Sequence, residues 1–192
     1  MNSFTVYFDL ETGGVEMRHP VIQLAAVAID EHGTEHDAFM ARLQFNEADC
    51  DPEALRLNHY DAATWHDAIT PQRAVERFAV WLKPFQSITL KSKRTGRDYT
   101  VAKLSGYNAL TFDAPRLRAM FGSQFTPWSH QIRDVLQRAL FWFDEHPDAV
   151  KPENYKLSTV AAYFGIAVDG AHDALADARM CAALARRLRD VH

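Results

Sequence analysis

The order of elements along the chain predicts a mixed α/β domain. Segments with the two-residue period of strands come first, and segments with a helical period come mostly later. The second strand segment is almost continuously apolar, as expected of a central strand covered on both faces. At 192 residues the chain fits one large domain, or at most two small ones. Its 47% hydrophobic and 24% charged residues are enough for a full core.

The first strand is expected over 4–11, where Phe4, Val6, Phe8 and Leu10 alternate with the other face until Thr12-Gly13-Gly14 breaks the run. The apolar run 21–29 is the second strand, and a third is expected at 38–45. Thr70-Pro71 is a helix start, with threonine at the cap and proline in the first turn, followed by Val75, Phe78, Trp81, Leu82 and Phe85 at helical spacing. Residues 87–104 read as a hairpin whose tip carries Lys91, Lys93, Arg94 and Arg97, with Lys103 near its end. A short helix follows over 113–122, with Asp113 most simply its N-cap. A longer helix is expected over 132–144, and a short one over 158–164 closed by Gly165. The last helix spans 173–190, with Leu175, Ala178, Ala182, Ala185 and Leu188 turned inward. No repeat or linker interrupts this series, so a single domain over 1–192 is expected.

Several classes are excluded on composition. The N-terminus has no basic region followed by a long apolar run, so no signal peptide is expected. No stretch approaches the roughly 20 apolar residues of a membrane span. Cys50 and Cys181 are far apart and form no CxxC pair, which points to a reducing cytoplasm and no zinc site; Cys181, among alanines and leucines, reads as a small buried hydrophobe. A net charge of −4 does not suit a protein that coats nucleic acid. It does not exclude one whose acids gather around metal ions, because the ions reverse the local sign, so charge alone decides little.

Three short segments carry chemistry. In Phe8-Asp9-Leu10-Glu11-Thr12, residues two apart on a strand share a face, so Asp9 and Glu11 stand side by side at its C-terminal end. Such a pair repels itself unless a cation intervenes, and Mg²⁺ or Mn²⁺ is the natural cation for hard oxygen ligands. The second segment runs from Gly106 to Asp113, with Asn108 as a turn residue and Asp113 at a helix start from which it can still aim an oxygen at a metal. In the third, His172 precedes the final helix and Asp177 lies about one turn inside it, with Asp173 as the helix cap.

Together, FDLET, GYNALTFDAPRL and HDALADA resemble the three motifs of the DEDD (DnaQ-like) exonuclease superfamily in its histidine subgroup. The segment KLSTVAAYFG, at 156–165, resembles the one that precedes the third motif, so the resemblance covers 4–188. The sister subgroup has tyrosine four residues before the last aspartate; Asp173 stands there, whereas His172, five before, fits the histidine subgroup. The resemblance implies a ribonuclease H-like fold, a five-stranded mixed sheet flanked by helices. It implies that Asp9, Glu11, Asp113 and Asp177 hold two Mg²⁺ or Mn²⁺ ions roughly 4 Å apart. His172 would be the general base, a role suited to an imidazole with an unperturbed pKa near 6.5. The reaction expected is 3′→5′ hydrolysis of single-stranded nucleic acid, DNA favoured over RNA, releasing 5′-mononucleotides.

By the same resemblance Leu10, Glu11 and Thr12 would hold the terminal nucleotide, with Asn108, Phe112 and His172 near sugar or base. Phe112 also reads as a core residue at the helix entry, and the basic hairpin as either a backbone guide or a solvated tip. The expected partners are single-stranded DNA or RNA 3′ ends and no membrane. A free-standing enzyme, a homodimer and a polymerase-associated subunit are all compatible with the chain. The rival readings are a non-catalytic binding module on the exonuclease fold and a ribonuclease H-type endonuclease.

Overall fold

The alternation of the first segment becomes strand β1 (Thr5–Thr12), and the apolar run becomes β2 (Val21–Ile29), buried at eight of nine positions. A computed structural model describes residues 3–170 and 172–191. The third strand, β3 (Glu35–Arg42), begins three residues earlier than expected, because its polar start pairs with the end of β2 although its alternation is weak there. α1 (Pro52–Leu57), capped by Asp51 with proline in its first turn, was not expected; none of its residues is buried, so it carries no apolar stripe to betray it. α2 (Pro71–Trp81) starts at Thr70 as the sequence indicates, with the Thr70 side chain accepting from Arg73 N–H.

The expected hairpin forms as β4 (Gln86–Lys91) and β5 (Asp98–Ala102), a two-stranded sheet of its own. The run 99–104, read as one strand, divides at Lys103, and its end becomes β6 (Leu104–Gly106). β6 lies parallel to β1, pairing Leu104 with Val6 and Ser105 with Tyr7. α3 (Asp113–Phe121) follows. The segment expected to be helical from 132 starts instead as the two-residue strand β7 (Arg133–Asp134), and α4 (Val135–Glu145) begins after it. Two residues have no period to detect; β7 exists because Ser105 and Gly106 of β6 lie alongside to pair with it. α5 (Leu157–Tyr163) ends where Ile166 N–H bonds back to Ala161 O, with Gly165 at φ +74°.

The main sheet has five strands in the order β3-β2-β1-β6-β7, antiparallel on the β3-β2-β1 side and parallel from β1 to β7. It is an α/β, ribonuclease H-like mixed sheet flanked by helices, as the resemblance implied. Val6, Phe8 and Leu10 face a core completed by Phe78 of α2 and by Leu117 and Phe121 of α3. Tyr7, on the opposite face, packs on a second core from α4, α5 and the final helix α6 (Ala174–Asp190). The inward stripe of α6 is Ala174, Ala178, Cys181, Leu184 and Leu188, while Leu175, Ala182 and Ala185 are only partly buried. Ala178 and Leu188 are buried as expected, and the other three expected positions are each one residue off, because alanines on both sides of the stripe leave the rotation open until β1 and β2 choose it. Cys181 is buried and thiol, as read from its neighbours. No helix among the described residues is long and apolar enough to cross a membrane.

Candidate active site

Asp9 and Glu11 project from the face of β1 that α6 covers, and Asp177 comes from the first turn of α6. Oxygens of these three carboxylates lie within 4.8 Å of one another. Asp113 is not the N-cap of its helix. Phe112 holds that position without a side-chain capping bond, and Asp113 is the first helical residue. Its Oδ1 accepts the N–H of Leu10 at 3.2 Å, which ties the buried carboxylate to β1 between Asp9 and Glu11. The tertiary bond replaces the local cap because the helix start is pressed against the strand end. His172 sits in an exposed turn just before α6 at φ +68°, and its imidazole makes no hydrogen bond among the described residues.

Burial is the first cause of an electrostatic strain that all four carboxylates share. It holds Asp9 well above the usual carboxylate range, with Asp113, Glu11 and Asp177 adding repulsion. Glu11 is pushed up to about 8 by burial and then by Asp177 and Asp113. Asp113 is raised by burial to about 7 against the pull of the Leu10 N–H and the Arg116 guanidinium. Asp177 is raised by burial, opposed by the His172 backbone N–H and the His172 charge. Arg116 offsets only part of this. It is itself buried, donates to Phe112 O and Val15 O at 2.9 and 2.5 Å, and lies 3.8 Å from the centre of the Phe112 ring. A converging set of hard oxygen donors with too little positive charge fits divalent magnesium or manganese.

Metal-free protein is therefore expected to lose stability as pH rises. The folded pKa values of Glu11 and Asp113 lie above their ordinary values of 4.5 and 3.8, so the native state binds more protons than the unfolded chain across that interval. Stability from these groups is full below about pH 4 and is lost as pH climbs through 7 to 8. At about 1.4 kcal/mol per unit and about 2–4 °C per kcal/mol, Tm in EDTA should fall on the order of 10 °C from pH 5 to pH 8. A metal-free Tm that stays flat or rises over this range would show the cluster is not strained.

Three polar residues that sequence reasoning passed over hold this geometry. Gln23 is buried on β2 directly opposite Glu11; its Oε1 accepts Ala174 N–H at 3.2 Å and its Nε2 donates to Asp173 Oδ2 at 3.4 Å. Asp173 caps α6 as expected, accepting from Leu175 and Ala176 N–H, so β2, the cap and the start of α6 are linked. The signal for Gln23 was a lone amide in an otherwise apolar strand. Asp134 caps α4 and also accepts from Asn108 and Leu110 N–H, both at 3.1 Å, which fixes the loop leading into Asp113. Its signal was the acid one residue before a helical apolar pattern. Arg116 had none. Gly106 opens that loop because a Cβ there would sit 2.7 Å from Ala109 Cβ and 2.9 Å from Phe8 O.

Asp134→Ala should cost about 2 kcal/mol, from a lost cap and two loop N–H groups left without their charged acceptor. The matching readouts are a Tm lower by about 5 °C and weaker Mg²⁺ binding. Wild-type values for both would mean the loop is held by other contacts.

The residues expected to touch substrate are placed as follows. Leu10 packs its side chain in the core and gives its N–H to Asp113. Thr12 is buried, with its hydroxyl donating to Gly14 O at 2.8 Å and its carbonyl accepting from Asn58 Nδ2 at 2.9 Å. Asn108 is an exposed turn residue at φ +55° whose Oδ1 accepts the Thr111 hydroxyl at 2.6 Å. Phe112 lies outside the core clusters, half-buried, one face against Arg116.

A family model described as an exonuclease (RNase_T) matches residues 6–185. No curated protein sequence matches the chain. Among solved structures, the zinc-bound form of the E. coli exonuclease I–single-stranded DNA complex superposes with a TM-score of 0.75 at 19% identity, covering 99% of this chain and 41% of that one. E. coli exonuclease I with a dT13 oligonucleotide gives 0.72 at 19% identity, covering 96% and 40%. A moderately thermophilic exonuclease I from Methylocaldum szegediense gives 0.75 at 19% identity, covering 98% and 40%. The chain thus spans about two fifths of the length of these relatives.

Proposed function

We propose, from the premise that the chain belongs to the RNase_T exonuclease family of the DnaQ-like superfamily, that it hydrolyses phosphodiester bonds from the 3′ end of single-stranded nucleic acid. The observation that carries this reading is the meeting of Asp9, Glu11 and Asp177 within 4.8 Å, with Asp113 bonded to the strand between the first two. DNA is favoured over RNA, since the similar exonuclease I structures hold single-stranded DNA. The products are 5′-mononucleotides.

Asp9, Glu11, Asp113 and Asp177 would hold two Mg²⁺ or Mn²⁺ ions. Bound metal supplies positive charge to the phosphate oxygens and lowers the pKa of the attacking water. The chain's own residues do the rest. The carboxylates, buried and repelling one another, exchange mutual strain for metal ligation, so binding energy is coupled to the fold. His172, on its exposed turn beside Asp177, accepts the proton of the attacking water. Glu11 and the backbone at Leu10 and Thr12 form the wall against the terminal nucleotide, with Asn108 and Phe112 on the facing loop.

A time course on 5′-labelled single-stranded DNA and RNA of matched sequence, with Mg²⁺, Mn²⁺ or EDTA, tests the reading. A ladder shortening from the 3′ end only with metal supports it and ranks the substrates. Cleavage of closed circular DNA would point to an endonuclease instead. Binding without any shortening would favour the non-catalytic module.

A further inference from the structure

The tip of the β4–β5 hairpin and the loop after α3 form a second surface that the chemistry above leaves unused. Lys91, Lys93, Arg94 and Arg97 line a depression of about 710 Å³ together with Phe125 and His130. Between 91 and 98 four of eight residues are cationic and one, Asp98, which also lines the depression, is acidic, so the lining stays net positive in a chain whose net charge is −4. None of the four is in an ion pair among the described residues. Phe125 is 65% exposed, and Tyr99, also exposed, meets it edge-on at 5.8 Å between ring centres. Backbone bonds hold the loop to the hairpin: Ala102 N–H donates to Pro127 O and Ser129 N–H to Ala102 O, each at 2.9 Å.

We propose that this depression is an accessory platform for single-stranded nucleic acid, holding the strand upstream of the 3′ end; the inference rests on the exonuclease reading. Unpaired cations track a phosphate backbone, and an exposed aromatic ring offers a stacking face to any base. An acidic protein surface would satisfy the cations but leave Phe125 in water, and a duplex keeps its base faces hidden. α3 sets the spacing. It starts with Asp113 at the carboxylates and runs nine residues towards the loop that holds Phe125, about 14 Å at 1.5 Å per residue. At about 3.4 Å per stacked nucleotide, that is about four nucleotides or more. A trinucleotide therefore fills the carboxylate site without reaching the platform, and a longer strand engages both.

The test compares wild type with Lys93→Ala/Arg94→Ala, Phe125→Ala and Phe125→Trp, each checked by Tm. Binding of a labelled strand of about 20 nucleotides, longer than typical single-strand sites, is measured by anisotropy in EDTA. Hydrolysis of that strand and of a trinucleotide is measured with Mg²⁺. The double variant and Phe125→Ala should each raise Kd for the long strand about tenfold. The double variant should also make the slope of log K against log salt shallower by about 1.4. Trinucleotide kcat/KM should stay at the wild-type value, and Phe125→Trp should restore binding. An unchanged long-strand Kd overturns the proposal, as does an equal loss on both substrates. Should wild type hydrolyse neither substrate, the exonuclease reading fails while the anisotropy series still decides the platform.

Discussion

Asp9→Asn is expected to abolish 3′ shortening and, in the same protein, to raise the metal-free Tm. Both outcomes come from one cause. Asp9 stands within 4.8 Å of Glu11 and Asp177, and burial together with the neighbouring carboxylates makes its ionised form costly. Asparagine preserves the shape and removes the charge, so the metal-free fold is relieved of repulsion above pH 7. The gain should be a few °C at about 2–4 °C per kcal/mol, and it should shrink at pH 5, where Glu11 and Asp113 hold their protons and repel Asp9 less. With metal the order reverses. Wild type gains about 2.7 kcal/mol when free metal is at 100 times Kd, whereas the variant, short one ligand, gains little. The measurement is a Tm matrix of pH against Mg²⁺ alongside the labelled-strand assay. A variant that hydrolyses at the wild-type rate would end the assignment. A variant that is inactive but less stable without metal would locate Asp9 in the scaffold instead.

His172→Ala is expected to lower kcat by about 10²–10⁴, the usual loss on removing a general base, while the Mg²⁺-induced rise in Tm survives. The imidazole is exposed and free of hydrogen bonds among the described residues, and its nitrogens are not among the ligand atoms that meet within 4.8 Å, which belong to Asp9, Glu11 and Asp177. Position 172 has φ +68°, where alanine is strained by about 1–2 kcal/mol. His172→Asn is the better companion, because asparagine tolerates that backbone and still cannot serve as the base. Both variants should be slow alike and keep KM near wild type. Full activity in His172→Asn would exclude the general-base role, and loss of the Mg²⁺ shift would place the residue in the metal site.

The exonuclease candidate was legible because its chemistry lies in short, local patterns. Two acids two apart on an alternating strand must share a face, and an aspartate one turn into a helix behind a capping acid must point towards the helix start; these follow from backbone periods alone. The strands β1 and β2, the capped helices α2 and α6, and the basic hairpin follow from the same periods. What only the tertiary structure decided is how those patches meet. Asp113 looked like a helix cap and turned out to accept from Leu10, because which N–H a buried carboxylate finds depends on the strand beside it. β7 is two residues long and exists only through β6, and α1 buries nothing, so neither leaves a period to read. The rotation of α6 was ambiguous among its alanines until β1 and β2 selected the Ala174–Ala178–Cys181 stripe, and that same choice carries Asp177 to Asp9 and Glu11. Local sequence sets which groups an element presents; only the packing of distant elements sets the few ångströms between them, and carboxylate repulsion and metal affinity depend on those distances.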